Sequence, residues 1–208
     1  MTDCFGLLQQ PRRPWLDPEG LKATFHQLSA STHPDRFHQA PDCEKEEATR
    51  RYASLNAAYN TLREPKDRLL HLLELEAGER PKDIQKIPPG TMDLFVEVGQ
   101  TCRAVDDFLA SRSQITSPLL KVKAFQDGME WVDKLTRLQQ TIESRRHDTA
   151  RELLSLNPLW EQADPTPASR QRQALLPLER LEQLYRTSSY IHRWTEQLQQ
   201  RIVELAST

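Results

Sequence analysis

Apolar residues in this 208-residue chain recur every three or four positions, in blocks that open and close at prolines, and no stretch carries the period-two alternation of a strand pair. A chain patterned in this way has packed helices as its route to a core. Asp17-Pro18-Glu19 offers a cap, a residue with its φ already set for the first helical turn, and an acidic side chain for the positive end of the helix dipole. Leu21, Phe25 and Leu28 then share one face, and Lys22, His26 and Ser29 lie one step round on a face expected to meet solvent. Pro34 forces His33 toward an extended backbone, so this helix is predicted to stop near Thr32. A second long helix is predicted from Asp42, with Glu44, Glu46 and Glu47 near its start, to Pro65. Its stripe of Tyr52, Leu55, Tyr59 and Leu62 suits an antiparallel hairpin with the first. Lys66 to Glu76 continues as a short amphipathic helix with Leu69, Leu72 and Leu73 facing inward.

Between Ala77 and Gly90 the composition shifts to Gly78, Pro81, Pro88, Pro89 and Gly90 among charged residues, which reads as a linker over residues 77–90 separating domains at 1–76 and 91–208. Thr91 to about Ser111 is then predicted helical, with Phe95, Val98, Cys102, Val105 and Leu109 on one face. The next helix starts near Ser117-Pro118, with a stripe of Phe125, Met129, Val132, Leu135, Leu138 and Ile142, and is expected to end before Asn157-Pro158. Gly128 inside it costs about 1 kcal/mol relative to Ala and is a candidate bend. Asn157 to Pro167 is read as a loop. A last long helix would carry Leu175, Leu178, Leu181, Leu184, Ile191, Trp194, Leu198, Ile202 and Leu205 along one seam. The fold class expected is all-α, an N-terminal helical hairpin joined by a linker to an elongated C-terminal three-helix bundle.

With 37% hydrophobic and 28% charged residues the chain has enough apolar surface to fold, which sets it apart from disordered sequences. The formal net charge of −2 argues against a protein whose work is gripping phosphate backbones, so no nucleic-acid partner is expected. No apolar run is long enough to span a bilayer, and Met1-Thr2-Asp3 lacks the basic start of a signal peptide, so a cytoplasmic location without a membrane partner is expected. Cys4, Cys43 and Cys102 are isolated, which predicts neither disulfides nor a metal site. A cluster of Cys4, Cys43 and His38 assembled in space is the one metal arrangement left open.

His33-Pro34-Asp35, followed by Arg36 and Phe37, is where local chemistry is unusual. Pro34 fixes its own φ and restricts His33, so the turn loses less conformational freedom when a partner holds it. Asp35 can accept charge-assisted hydrogen bonds from a partner's arginine, and His33 offers a donor and an acceptor. The tripeptide alone is also what a proline-terminated helix followed by a solvated turn would look like. Its setting is more specific, because it follows the Leu21, Phe25, Leu28 helix and precedes one carrying Leu55-Asn56-Ala57-Ala58-Tyr59.

In that setting the sequence resembles a J-domain, and more closely the HscB type of iron-sulfur co-chaperone. Leu62-Arg63-Glu64-Pro65, Arg68 and the run Leu69 to Leu75 look like the end of the HscB J-domain, and Cys4-Phe5-Gly6-Leu7-Leu8 looks like its short first helix. The resemblance is specific over residues 1–76 and rests on architecture beyond them. It implies a co-chaperone with no cofactor and no catalysis of its own. Its partners would be a DnaK/HscA-type ATPase chaperone, whose hydrolysis it stimulates, and an IscU-like scaffold, which it delivers. By the same resemblance His33, Pro34 and Asp35, with Lys22, His26 and Arg36, would dock on the chaperone. That face is thin in charge, since such helices are usually rich in Lys and Arg. Met92, Val96, Glu97 and Gln100, with Tyr190 on the last helix, fall at the family's scaffold-binding positions. Met92 and Val96 would serve equally well as bundle core, and Tyr190 as an unengaged surface aromatic.

A J-protein for a different client is the nearest alternative, and whether the bundle forms a homodimer stays open. An enzyme is disfavoured because His147-Asp148 lies on a predicted exposed helix and no phosphate loop or nucleophile motif occurs.

Overall fold

The computed structural model describes residues 2–81, 86–163 and 170–207, without the side chains of 170 and 171, and these residues form eight α-helices and no strands. The helices are α1 (Cys4–Leu7), α2 (Pro18–Thr32), α3 (Asp42–Arg63), α4 (Pro65–Ala77), α5 (Met92–Arg112), α6 (Pro118–Gln162), α7 (Arg170–Leu175) and α8 (Leu178–Ala206). A one-turn 3-10 helix, Pro34–Phe37, follows α2. Asp17 caps α2 through its side chain, which accepts the Gly20 N–H at 2.9 Å, and Pro18, Pro65 and Pro118 open α2, α4 and α6.

By packing, the chain divides into two compact units. The first is Met1–Ile84 with Ala150–Tyr185, and the second is Gln85–Thr149 with Arg186–Thr208. In the first, Phe5, Leu8, Leu16, Leu21, Leu55, Ala58, Leu62, Leu69, Leu72 and Leu73 share one core with Leu153, Trp160, Leu176, Leu181, Leu184 and Tyr185. Phe25 lies flat against Tyr59 with ring centroids 4.2 Å apart, joining α2 to α3. Arg68, buried at the start of α4, donates to Pro14 O at 2.9 Å and Leu62 O at 2.7 Å, and burial lowers its pKa to about 10. His71 is held down by burial as well, and its Nε2 accepts the Cys4 N–H at 3.1 Å. Beneath the end of α4, the fully buried Glu76 receives two 2.7 Å hydrogen bonds from Arg172 of α7, and its backbone carbonyl receives one from Gln173.

The second unit is a three-helix core. Val98, Cys102 and Val105 of α5 meet Leu135, Leu138 and Ile142 of α6 and Ile191, Trp194, Leu198 and Leu205 of α8. Arg112 donates to Leu205 O at 3.1 Å and so satisfies a terminal carbonyl of α8.

Several sequence expectations are corrected here. The helix expected to end before Asn157-Pro158 runs on to Gln162, because the Asn157 amide exchanges two 3.0 Å hydrogen bonds with the Trp15 backbone and the next turn buries Trp160. Of the predicted Asn157–Pro167 loop, residues 164–167 lie outside the described residues. The single last helix is two, broken at Leu176-Pro177, and Leu176 is buried where Leu175 was expected. Phe125 and Met129, assigned to the α6 stripe, stand in solvent. Of the residues read as a linker, 82–85 lie outside the described residues, while Pro88 is buried and Ile87 packs on the core of the second unit.

Candidate functional site

The turn after α2 is built by its own residues and floored by α3. His33 caps the 3-10 turn with an extended backbone, φ −60° and ψ 131°, as a residue before proline must. Its Nδ1 accepts the Asp35 N–H at 3.3 Å, and its carbonyl accepts the Arg36 N–H at 3.0 Å. That Nδ1 contact requires the neutral ring with its proton on Nε2. The Asp35 carboxylate, 3.4 Å from the same nitrogen, would form an ion pair with it only in the protonated ring. The Asp35 side chain is 89% exposed, so its oxygens are open to a partner's donors. The His33 and Tyr52 rings meet in a T-shaped contact, with centroids 5.1 Å apart at 74°. Arg36 turns back and donates to Ala30 O at 3.3 Å, closing a free carbonyl at the end of α2. His38 Nδ1 lies 2.8 Å from Asp35 O.

His33, Pro34, Asp35 and Arg36 therefore share one turn. Lys22 and His26 are both exposed on α2, and at 1.5 Å per residue Lys22 lies about 16 Å along the axis from His33. Ser29, expected on the same open face, is buried, and its hydroxyl lacks a hydrogen-bond partner among the described residues. Two contributions were missed from the sequence: the floor that Tyr52 gives to His33, and the capping role of Arg36. Tyr52 was read as core because it falls on the α3 stripe, but it is the first residue of that stripe and so lies nearest the turn.

In the second unit, Met92, Val96 and Gln100 stand four apart on the outer side of α5, with Glu97 beside them, and all four are exposed. Glu97 also lines a groove with Glu130, Asp133, Lys134, Arg137 and Thr141 of α6. Tyr190 does not join them. It is only 5% exposed, packed between Phe95 (6.1 Å) and Trp194 (5.4 Å) with the Arg193 guanidinium 5.2 Å over its ring, and it is corrected to a core residue. Phe95, expected in the core, sits at its rim and touches Tyr190 edge-on.

Among the described residues no three His, Cys, Asp or Glu side chains converge as metal ligands, so Cys4, Cys43 and His38 do not form a site. No described helix is long and apolar enough to cross a membrane.

Compared with known proteins, the chain matches no family model. It is 40% identical over 73 residues to the co-chaperone protein HscB homolog of Azoarcus sp. strain BH72, covering 35% of this chain and 41% of that one. To the HscB homolog of Chromobacterium violaceum it is 29% identical over 115 residues, 55% of this chain and 65% of the relative. The chain thus spans less than two thirds of the curated relatives it matches. In fold it is similar to the crystal structure of human co-chaperone protein HscB, with a TM-score of 0.57, 20% identity, and coverage of 96% of this chain and 81% of that one.

Proposed function

We propose, from the premise that this chain is a relative of the HscB-type co-chaperones, that it is a J-type co-chaperone of iron-sulfur cluster assembly. In this reading it performs no chemistry of its own, stimulates ATP hydrolysis by a DnaK/HscA-type chaperone in the cytoplasm, and brings that chaperone an IscU-like scaffold protein. The observation that carries it is the His33-Pro34-Asp35 turn, which offers an open carboxylate on a backbone already held by His33, Arg36 and Tyr52. Asp35 accepts a chaperone arginine in a charge-assisted pair, and the turn's existing hydrogen bonds keep the ordering cost of docking low. Lys22 supplies the charge that steers approach along α2, with His26 exposed beside it as a polar contact. Arg36 acts by holding the turn closed against α2, since its guanidinium is already engaged there.

Scaffold binding is assigned to Met92, Val96, Glu97 and Gln100, whose exposure on α5 gives an apolar strip with an acidic edge. Tyr190 is left out because presenting its ring would mean opening the core.

The test is single-turnover ATP hydrolysis by the cognate chaperone with and without this protein, repeated with the scaffold. Stimulation by the protein, a further rise with scaffold, and loss of both in His33→Gln are expected. Replacing Met92 and Val96 by Ala should remove only the scaffold's increment. Stimulation without a scaffold effect would point to a J-protein for another client. A His33→Gln protein that stimulates normally would refute the docking mechanism.

A further inference from the structure

α1 is a single turn of four residues, too short to persist in water by itself, so its place is set by what it touches. Phe5 and Leu8 are fully buried in the core of the first unit. Its leading N–H groups are satisfied by side chains. Asp3 accepts that of Phe5 at 3.0 Å, and that of Cys4 reaches Nε2 of His71 on α4 at 3.1 Å. The His71 ring also lies nearly parallel to the Phe5 ring, 12° between planes with centroids 5.8 Å apart, and is only 7% exposed. One imidazole thus holds α1 by its backbone and by one of its two buried anchors.

The contact fixes the protonation state of the ring. Nε2 accepts from Cys4 only while it carries no proton, so His71 is the neutral tautomer protonated on Nδ1. A second proton would set two N–H donors head to head at 3.1 Å and bury a charge. Burial is the largest influence on the ring and, with Arg12, pushes it below its ordinary 6.5 against the pull of Asp3 and Glu74. Neither acid is free to compensate, because Asp3 is bound to Arg12 at 2.7 Å and Glu74 to Arg80.

We propose that His71 is a proton-sensitive latch on the N-terminal turn: its neutral ring holds α1 in place, and protonation converts the accepting nitrogen into a donor and lets α1 detach. Detachment uncovers the apolar surface that Phe5 and Leu8 cover. His71 binds its proton more readily when α1 is open than when it is closed, so opening takes up one proton. The latch is therefore strongest above the ordinary histidine value, weakens as the pH falls through it, and weakens no further below the depressed value of the closed state. Within that window the fraction open rises by at most about tenfold per pH unit. Burial raises the Asp3 carboxyl, but Arg12 and backbone N–H groups hold it below its ordinary 3.8, so Asp3 loosens the same turn only in a lower, separate range. The latch works in the free protein, whatever the His33 turn docks on.

Hydrogen exchange of the full chain, followed by mass spectrometry from pH 7.5 to pH 4.5 and normalised at each pH to the unfolded-chain rate, reads the opening. Protection of residues 4–10 is expected to fall severalfold, up to about tenfold per pH unit, and then to level off, while α3 and α4 keep theirs. His71→Gln, whose side-chain oxygen can accept the Cys4 N–H and does not titrate, should keep the protection of pH 7.5 and lose the pH dependence. Nitrogen NMR of the unsubstituted protein adds a readout that needs no variant: at pH 7.5 the ring should carry its proton on Nδ1. Protection unchanged across the pH range, a pH dependence that survives in His71→Gln, or a ring protonated on Nε2 would each overturn the latch. So would equal losses in α1, α3 and α4, which would mean that the first unit opens as a whole.

Discussion

Tyr52 makes a T-shaped contact with the His33 ring, so the shape of the turn at residues 33–37 depends on a side chain that the next helix brings to it. Aromatic contacts of this kind contribute about 0.5–1.5 kcal/mol, enough to change how often the turn holds its docking geometry by up to about tenfold. Tyr52→Ala is therefore expected to lower chaperone stimulation severalfold at subsaturating concentration, and Tyr52→Phe to retain it. The His33 ring protons should lose their ring-current shift in Tyr52→Ala while the far-ultraviolet circular dichroism stays the same. Unchanged stimulation together with a lost ring-current shift would separate ring positioning from docking and remove Tyr52 from the mechanism. The tripeptide itself was legible in the sequence, because proline's restrictions are local. Its support was not, because Tyr52 lies 19 positions from His33 and owes its contact to the packing of α2 on α3.

At the scale of the helix, the prolines had different consequences in different places. Pro18, Pro65 and Pro118 occupy first turns, where their missing N–H costs nothing, and Pro177 separates α7 from α8. Pro158 lies inside α6, where the Asn157–Trp15 hydrogen bonds and the burial of Trp160 offset the lost ladder bond. α4 and α7 are tied by the pair Glu76–Arg172, whose side chains are 0% and 5% exposed. Removing one member would strand a buried charge, so Glu76→Gln or Arg172→Met should each cost about 3–5 kcal/mol of unfolding free energy. Glu76→Leu combined with Arg172→Met should recover much of that loss. Equilibrium urea unfolding measures both, and single variants as stable as the parent would show that the pair is not holding α7 to α4.

For the whole molecule, the composition shift at residues 77–90 suggested that residues 1–76 fold as a domain by themselves. Packing groups the chain differently, since the first unit also contains Ala150–Tyr185. Leu69, Leu72 and Leu73 belong to the same core as Leu153, Trp160, Leu181 and Leu184. Each large side chain uncovered would forfeit about 1.5–3 kcal/mol. A fragment of residues 1–76 is thus expected to unfold at a lower denaturant midpoint than the first unit in the full chain, and to bind a hydrophobic dye that the full chain does not. Equal midpoints and no dye binding would support a boundary at 77–90 and argue that the later segments are accessory to this core.

Local chemistry was enough to determine the all-helical class, the positions of α2, α3, α4 and α5, and the turn at the tripeptide, because caps, prolines and three-four spacing act within a few residues of themselves. Tertiary structure alone decided which apolar stripes were buried. Phe125 sits on a stripe in the sequence yet stands in solvent, while Tyr190, read from the sequence as a surface aromatic, lies in the core. Periodicity identifies a helix face without identifying its neighbour, and burial depends on whether another element comes to cover that face.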